Sequence, residues 1–123
     1  MNYRYFKKKF KNQKILITGH TGFKGSYLSS FLNYLDSDLI GISDKKLKNY
    51  AELKLKINSK IFDLNNKSKI KKNINNFKPK YIFHLAAQSI VYKAIKNPSL
   101  TWNSNLVSTI NLLTSAKKIS SVK

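Results

Sequence analysis

Hydrophobic positions along this chain fall into two patterns that alternate. Residues 14–19, Lys-Ile-Leu-Ile-Thr-Gly, form a short apolar, β-branched run that stops at glycine and predicts a buried strand. Directly after it, Phe23, Tyr27, Leu28, Phe31, Leu32 and Leu35 recur at the spacing of one helix face. Residues 38–43, Asp-Leu-Ile-Gly-Ile-Ser, predict a second strand. Residues 44–56 are lysine-rich and mixed, which predicts a loop with one helical turn at 49–53. A short third strand is expected at 59–63, and Ile70, Ile74 and Phe77 mark a helix over 67–77. Pro79 interrupts the chain, and residues 81–87 read as a fourth, apolar strand. Past a further loop, Pro98 stands where a helix can start, because a first turn has no use for its missing N–H. Leu106, Ile110 and Leu113 then make a stripe, with Trp102, Val107 and Ala116 beside it, predicting a helix from 98 to about 118.

Strands alternating with helices predict an α/β fold: a Rossmann-like parallel sheet with right-handed crossovers and helices on both faces. About four strands is half of a doubly wound domain, so the sheet is expected to be incomplete at Lys123. The strand at 81–87 would then lie at a sheet edge, an aggregation hazard for an apolar segment.

Composition narrows the function classes. A length of 123 residues fits one domain, and 41% hydrophobic residues suit a packed globule rather than a disordered chain. With no cysteine there is no disulfide framework and no thiolate metal site, and two histidines are too few for a zinc centre. No stretch approaches the roughly 20 apolar residues of a membrane span, and the basic start lacks an apolar signal core, so a cytoplasmic protein is expected. The formal charge of +19 raises the question of a polyanion partner. Lysine supplies every basic residue but Arg4 and is spread along the chain, whereas nucleic-acid surfaces favour arginine for bidentate contacts. The charge therefore reads as compositional drift rather than a nucleic-acid surface.

Three of the four glycines, Gly19, Gly22 and Gly25, fall within seven residues between the first strand and the first helix. At that place a helix N-terminus offers unpaired N–H groups and partial positive charge to a phosphate. The spacing is GxxGxxG. Gly19 would permit the tight exit from the strand, Gly22 the approach of a pyrophosphate, and Gly25 close packing of helix on strand. A P-loop needs its lysine after the last glycine, and Lys24 precedes Gly25. Asp44, nineteen residues past Gly25 at the end of the second strand, suits a ribose diol and favours NAD over NADP, although Lys45 and Lys46 follow it.

Thr18-Gly-His-Thr-Gly-Phe-Lys-Gly25 with Ser26-Tyr27-Leu28 resembles the nucleotide loop of the extended short-chain dehydrogenase/reductases, the NAD-dependent epimerase/dehydratase family. At Lys24 the loop resembles the branch that acts on CDP-glucose, since other branches usually carry an apolar residue there. Phe83-His-Leu-Ala-Ala-Gln88, Asn97-Pro98 and Asn105 fit the same branch, and dTDP-sugar relatives tend to have glutamate where Gln88 stands. The resemblance runs from about residue 10 to 113. It implies that residues 1–123 are the N-terminal part of an NAD-binding domain. Gly19, Thr21, Gly22, Phe23, Lys24 and Gly25 would lie on the pyrophosphate and Ser43 or Asp44 on the ribose. Asp63 and Leu64 would hold the adenine, and Leu85, Ala86 and Ala87 would line the cofactor. Gln88 would reach the substrate.

The activity so implied is a 4,6-dehydration of a nucleotide sugar, most readily CDP-glucose to CDP-4-keto-6-deoxyglucose, in which NAD takes hydride from the sugar and returns it. The complete enzyme is expected to be a homodimer. The resemblance places the family's catalytic Thr or Ser and its Tyr-x-x-x-Lys pair beyond Lys123, so no catalytic residue is assigned. Tyr3 with Lys7 and Tyr92 with Lys96 match that spacing by chance in a lysine-rich chain. His20 is expected to bond backbone within the turn, His84 to be a satisfied buried histidine, and Trp102 to be packing. Two alternatives stand beside this reading: another nucleotide-sugar epimerase or dehydratase, and a non-catalytic module for nucleotides or polyanions.

Overall fold

The computed structural model describes residues 2–122. Four strands, β1 (Lys14–Thr18), β2 (Asp38–Ser43), β3 (Asn58–Ile61) and β4 (Tyr81–His84), pair in parallel in the order β3-β2-β1-β4. This is the Rossmann-like arrangement expected, with β4 at an edge.

Side-chain alternation on the central strands divides the core in two. Ile15 and Ile17 of β1 and Leu39 of β2 face helix α2 (Phe23–Tyr34), which contributes Leu32 and is followed by Leu35. Leu16, Ile40 and Ile42 face the opposite way, against Ile70 and Ile74 of α4 (Lys67–Phe77) and Leu112 of α7 (Ser108–Ala116). Lys78 takes a left-handed conformation at φ 53° and caps α4, so Pro79 follows a helix already ended.

The first helix was not expected. α1 (Tyr3–Phe10) begins at Asn2, whose side chain accepts the Tyr5 N–H at 3.2 Å. Its Phe6 and Phe10, one turn apart, pack on the α2 side of the sheet, where Phe10 meets the Tyr81 ring edge-on at 5.4 Å. Thus α1 covers apolar residues of the edge strand β4. Burying a phenylalanine contributes roughly 1.5–3 kcal/mol, ample to hold a helix of eight residues that would be unstable alone.

Other departures have local causes. β4 ends at His84 rather than residue 87, because the Leu85 and Ala86 N–H groups turn to the Thr18 carbonyl and hydroxyl. The helical turn in the 44–56 loop is α3 (Lys48–Ala51). Residues 91–96, expected as loop, form α5 (Val91–Lys96). The long C-terminal helix is continuous but not uniform: α6 (Pro98–Trp102) passes through a π-helical segment, Asn103–Val107, into α7.

That segment also marks the largest correction. The stripe of Leu106, Ile110 and Leu113 is exposed, as is Trp102 at 65%, so Trp102 is not core packing. The face against the sheet is instead Ser108, Asn111, Leu112 and Ser115. Among the described residues no helix is long and apolar enough to cross a membrane.

Candidate functional site

Parallel pairing brings the carboxyl ends of all four strands to one edge of the sheet, where ligands bind in open α/β folds. The glycine-rich turn sits there between β1 and α2. Gly19 has φ +72°, a conformation L-residues rarely adopt, and its N–H donates to the Ile42 carbonyl at 2.7 Å. A Cβ on it would lie 2.7 Å from the Ala86 nitrogen, so the chain leaving β4 passes directly against the turn. Gly25 lets α2 settle onto the turn, because a Cβ there would collide with the Gly19 carbonyl oxygen. Gly22 is the N-cap of α2 and bears no side chain to cap it, which leaves the first-turn amides for an outside acceptor. Thr21 is buried, with its hydroxyl donating to the Lys45 carbonyl at 2.7 Å. Phe23 and Lys24 are exposed on the first turn of α2.

The second-strand residues separate in the structure. Ser43 is buried and its hydroxyl oxygen accepts the Thr21 N–H at 3.3 Å, whereas Asp44 is exposed beside it. Past β3, the Asp63 carboxylate accepts the Asn65 N–H at 2.8 Å and is exposed. The Leu64 side chain is buried in the core with Leu16 and Ile70. Leu85 and Ala87 lie toward the surface, with Ala86 packed against the core from its edge. Gln88 folds back on its own loop: its Oε1 accepts the Ile90 N–H at 2.8 Å and its Nε2 donates to the Ile90 carbonyl at 3.0 Å. A cleft of about 510 Å³ opens beside the turn, between Thr21, Gly22, Ser26 and Ser30 on one side and Leu47, Tyr50 and Leu53 on the other.

Both histidines are satisfied by hydroxyls. His84 Nδ1 lies 2.6 Å from Thr18 Oγ1 and its Nε2 2.8 Å from Thr109 Oγ1, and the ring is half-buried. His20 does not bond turn backbone with its ring nitrogens as expected; they meet Ser43 Oγ at 2.9 Å and Ser59 Oγ at 2.7 Å. Burial holds both imidazoles below the usual histidine range, with a backbone contact to Ile42 partly opposing this at His20. The Tyr-x-x-x-Lys spacings lie elsewhere: Tyr3 and Lys7 on α1, where Lys7 pairs with Asp36, and Tyr92 and Lys96 on α5.

Sequence reasoning missed the residues that support the site from behind. Asn111 donates to the Leu64 and Asn65 carbonyls at 3.4 and 3.2 Å and so steadies the loop after β3. A polar residue in a helix gives no local sign of a partner 46 positions away. Gly41 did leave a signal, a glycine inside an apolar strand, which implies close approach of another group. The group is the His20 ring.

The chain is similar to the CDP-glucose 4,6-dehydratase of Salmonella typhimurium, 31% identical over 119 residues, covering 93% of this chain and 33% of that protein. Among solved structures, an epimerase of Methanothermobacter thermautotrophicus superposes with TM-score 0.85 at 21% identity, over 94% of this chain and 34% of that one. The UDP-glucose 4-epimerase of Thermus thermophilus, solved with NAD, gives TM-score 0.77 at 25% identity, over 85% and 34%. The chain spans about a third of the length of the relatives it matches. The family model for GDP-mannose 4,6 dehydratase matches residues 16–123, from the first strand through the last helix, and the chain therefore belongs to that family within the extended short-chain dehydrogenase/reductases.

Proposed function

We propose that this chain forms the NAD-binding portion of a nucleotide-sugar 4,6-dehydratase acting on CDP-glucose. The observation that carries the reading is the uncapped N-terminus of α2, set by Gly19 and Gly25 at the carboxyl edge of the sheet. A pyrophosphate there would take the Phe23 and Lys24 amides and the positive end of the helix, the Gly22 N–H being already given to the Gly19 carbonyl. Asp44 would receive the ribose hydroxyls, because the Ser43 hydroxyl is already engaged by Thr21 and His20. Asp63 and the loop steadied by Asn111 would flank the adenine, Leu85 to Ala87 the nicotinamide half, and Gln88 would swing from its own loop to the sugar. Bound NAD supplies hydride acceptance and return; the residues present orient it and keep water from one side.

Lys24 in a GHTGFKGS turn and the likeness to the Salmonella enzyme support CDP-glucose over other nucleotide sugars. The exposed Leu106, Ile110 and Leu113 stripe supports a homodimer of the complete enzyme. Calorimetric titration with NAD and NADP tests the cofactor, with NAD expected to bind more tightly. Incubation of the complete enzyme containing this chain with NAD and CDP-, dTDP- or UDP-glucose tests the substrate. A 4-keto-6-deoxy product from CDP-glucose alone is expected, and product from another sugar would reassign it.

A further inference from the structure

The proposed contacts to the dinucleotide leave out the His20 side chain, yet it is completely buried and engaged at both ring nitrogens. Its ring stands edge-on to Tyr50 at 5.0 Å and occupies the space above Gly41, where any Cβ would run into it. Strand β2 thus carries a glycine where an apolar residue would pack, and the vacant volume is filled by this imidazole.

The contacts of His20 continue into the turn. Ser43 Oγ, next to Nδ1, is also the acceptor for the Thr21 N–H. Gly19 N–H and Thr21 Oγ1 donate to the Ile42 and Lys45 carbonyls. Gly19 and Thr21 therefore fasten the turn to β2 and the residues just after it, and His20 extends the tie to Ser59 on β3. β3 is exposed along its length and pairs only with β2, so this link has no core packing behind it.

We propose that His20 is the positioning residue of the glycine-rich turn: its neutral imidazole, clasped between Ser43 and Ser59, holds the turn so that the Phe23 and Lys24 amides at the start of α2 face the ligand, and protonation loosens the turn. The proposal rests on the dinucleotide reading for the identity of that ligand. A neutral imidazole has one donor and one acceptor nitrogen, matched to two hydroxyls that can each give or take a proton. An imidazolium has two donors. Ser43 Oγ would then accept from both Thr21 and the ring and lose the ring nitrogen as an acceptor for its own proton, and a charge would sit buried without a counter-ion. Burial already opposes that charge. Tyr50 is the titratable group touching the ring, and burial pushes its phenol up, so it stays neutral. The charged side chains on the packed segments, Asp44 and Lys45 after β2 and Lys60 on β3, are exposed.

The test follows the imidazole and the turn separately in the chain itself. Nitrogen-15 NMR of the two histidines, assigned with His84→Asn, reads ring charge from pH 8 to pH 5; hydrogen exchange reads the Thr21 amide; calorimetry reads NAD. A neutral His20 ring is expected, with a midpoint below about 6.5. Below that midpoint Thr21 exchange should accelerate and NAD affinity should drop by about tenfold together. His20→Gln, able to give and accept but not to titrate, should keep affinity at pH 8 and lose the pH dependence; Ser59→Ala should weaken binding at every pH. Thr21 exchange that ignores the charge of His20, or His20→Gln with an unchanged pH profile, overturns the proposal. If wild-type chain fails to bind NAD while Thr21 exchange still tracks the ring, the dinucleotide reading falls and the positioning role stands.

Discussion

The Asn105 carboxamide holds the Gln88 backbone at both of its polar groups, accepting from the N–H at 2.7 Å and donating to the carbonyl at 3.1 Å. Asn105 lies in the π-helical segment and Gln88 in the chain leaving β4. A π-segment shifts side chains out of α-helical phase and is often found where a helix serves a site. Here it delivers one carboxamide to the strand exit that passes the glycine turn.

Replacing Asn105 with alanine is expected to destabilise the chain by about 1–3 kcal/mol, since it leaves a part-buried donor and acceptor unpaired. The effect should be local as well as global. Hydrogen exchange at the Gln88 amide should accelerate more than at core positions such as Leu16, and urea titration gives the global loss.

Gly25→Ala should be more damaging than its single methyl suggests. The new Cβ meets the Gly19 carbonyl oxygen, which is backbone and cannot rotate away. A loss of about 1–3 kcal/mol or more is expected in thermal melts, with loss of nucleotide binding. Gly22→Ala, whose Cβ would lie 3.3 Å from the same oxygen, should melt closer to wild type.

On the last helix, Ile110→Gln and Leu113→Gln should change stability by no more than about 0.5 kcal/mol, because both side chains are exposed. Leu112→Ala, one position from Leu113, should cost about 2–5 kcal/mol. The reverse ranking by chemical denaturation would mean that the helix packs by its apolar stripe after all.

Acid should weaken the fold in two stages. His20 and His84 have folded pKa values depressed by burial, so below the unfolded value, about 6.5, the unfolded chain binds more protons and stability drops. Asp36 is also depressed, by its bond to Lys7, and its contribution disappears at more acidic pH as it takes up a proton; the pair is exposed and its share is small. Melting temperature is therefore expected to be flat above pH 7 and to fall from about pH 6.5 downward. His84→Asn should flatten part of that slope.

Much of this was legible along the chain. β1, β2 and α4 fall where apolar periodicity put them, because each buries a face set by neighbours within its own segment; α2 falls in its expected place, but Phe23 and Tyr27 of its expected face are exposed and the helix buries Gly25 and Ser29 along with Leu32. The three clustered glycines announced a turn at a strand exit, and the GHTGFKGS run carried the family. α1 was missed because its signal is only Phe6 and Phe10 in a run of lysines; what makes it a helix is the surface of β4, far along the chain.

By itself, then, the sequence determined the alternation of the four strands with helices, the parallel sheet and the place of the glycine-rich turn, since these depend on period, glycine and local capping. Tertiary structure alone decided which face of the last helix meets the sheet, that Ser43 turns inward while Asp44 stays out, and that His20 lies over Gly41. Each of these is a choice between groups of similar local propensity, made by partners distant in sequence whose hydrogen bonds and volumes exist only once the sheet has formed.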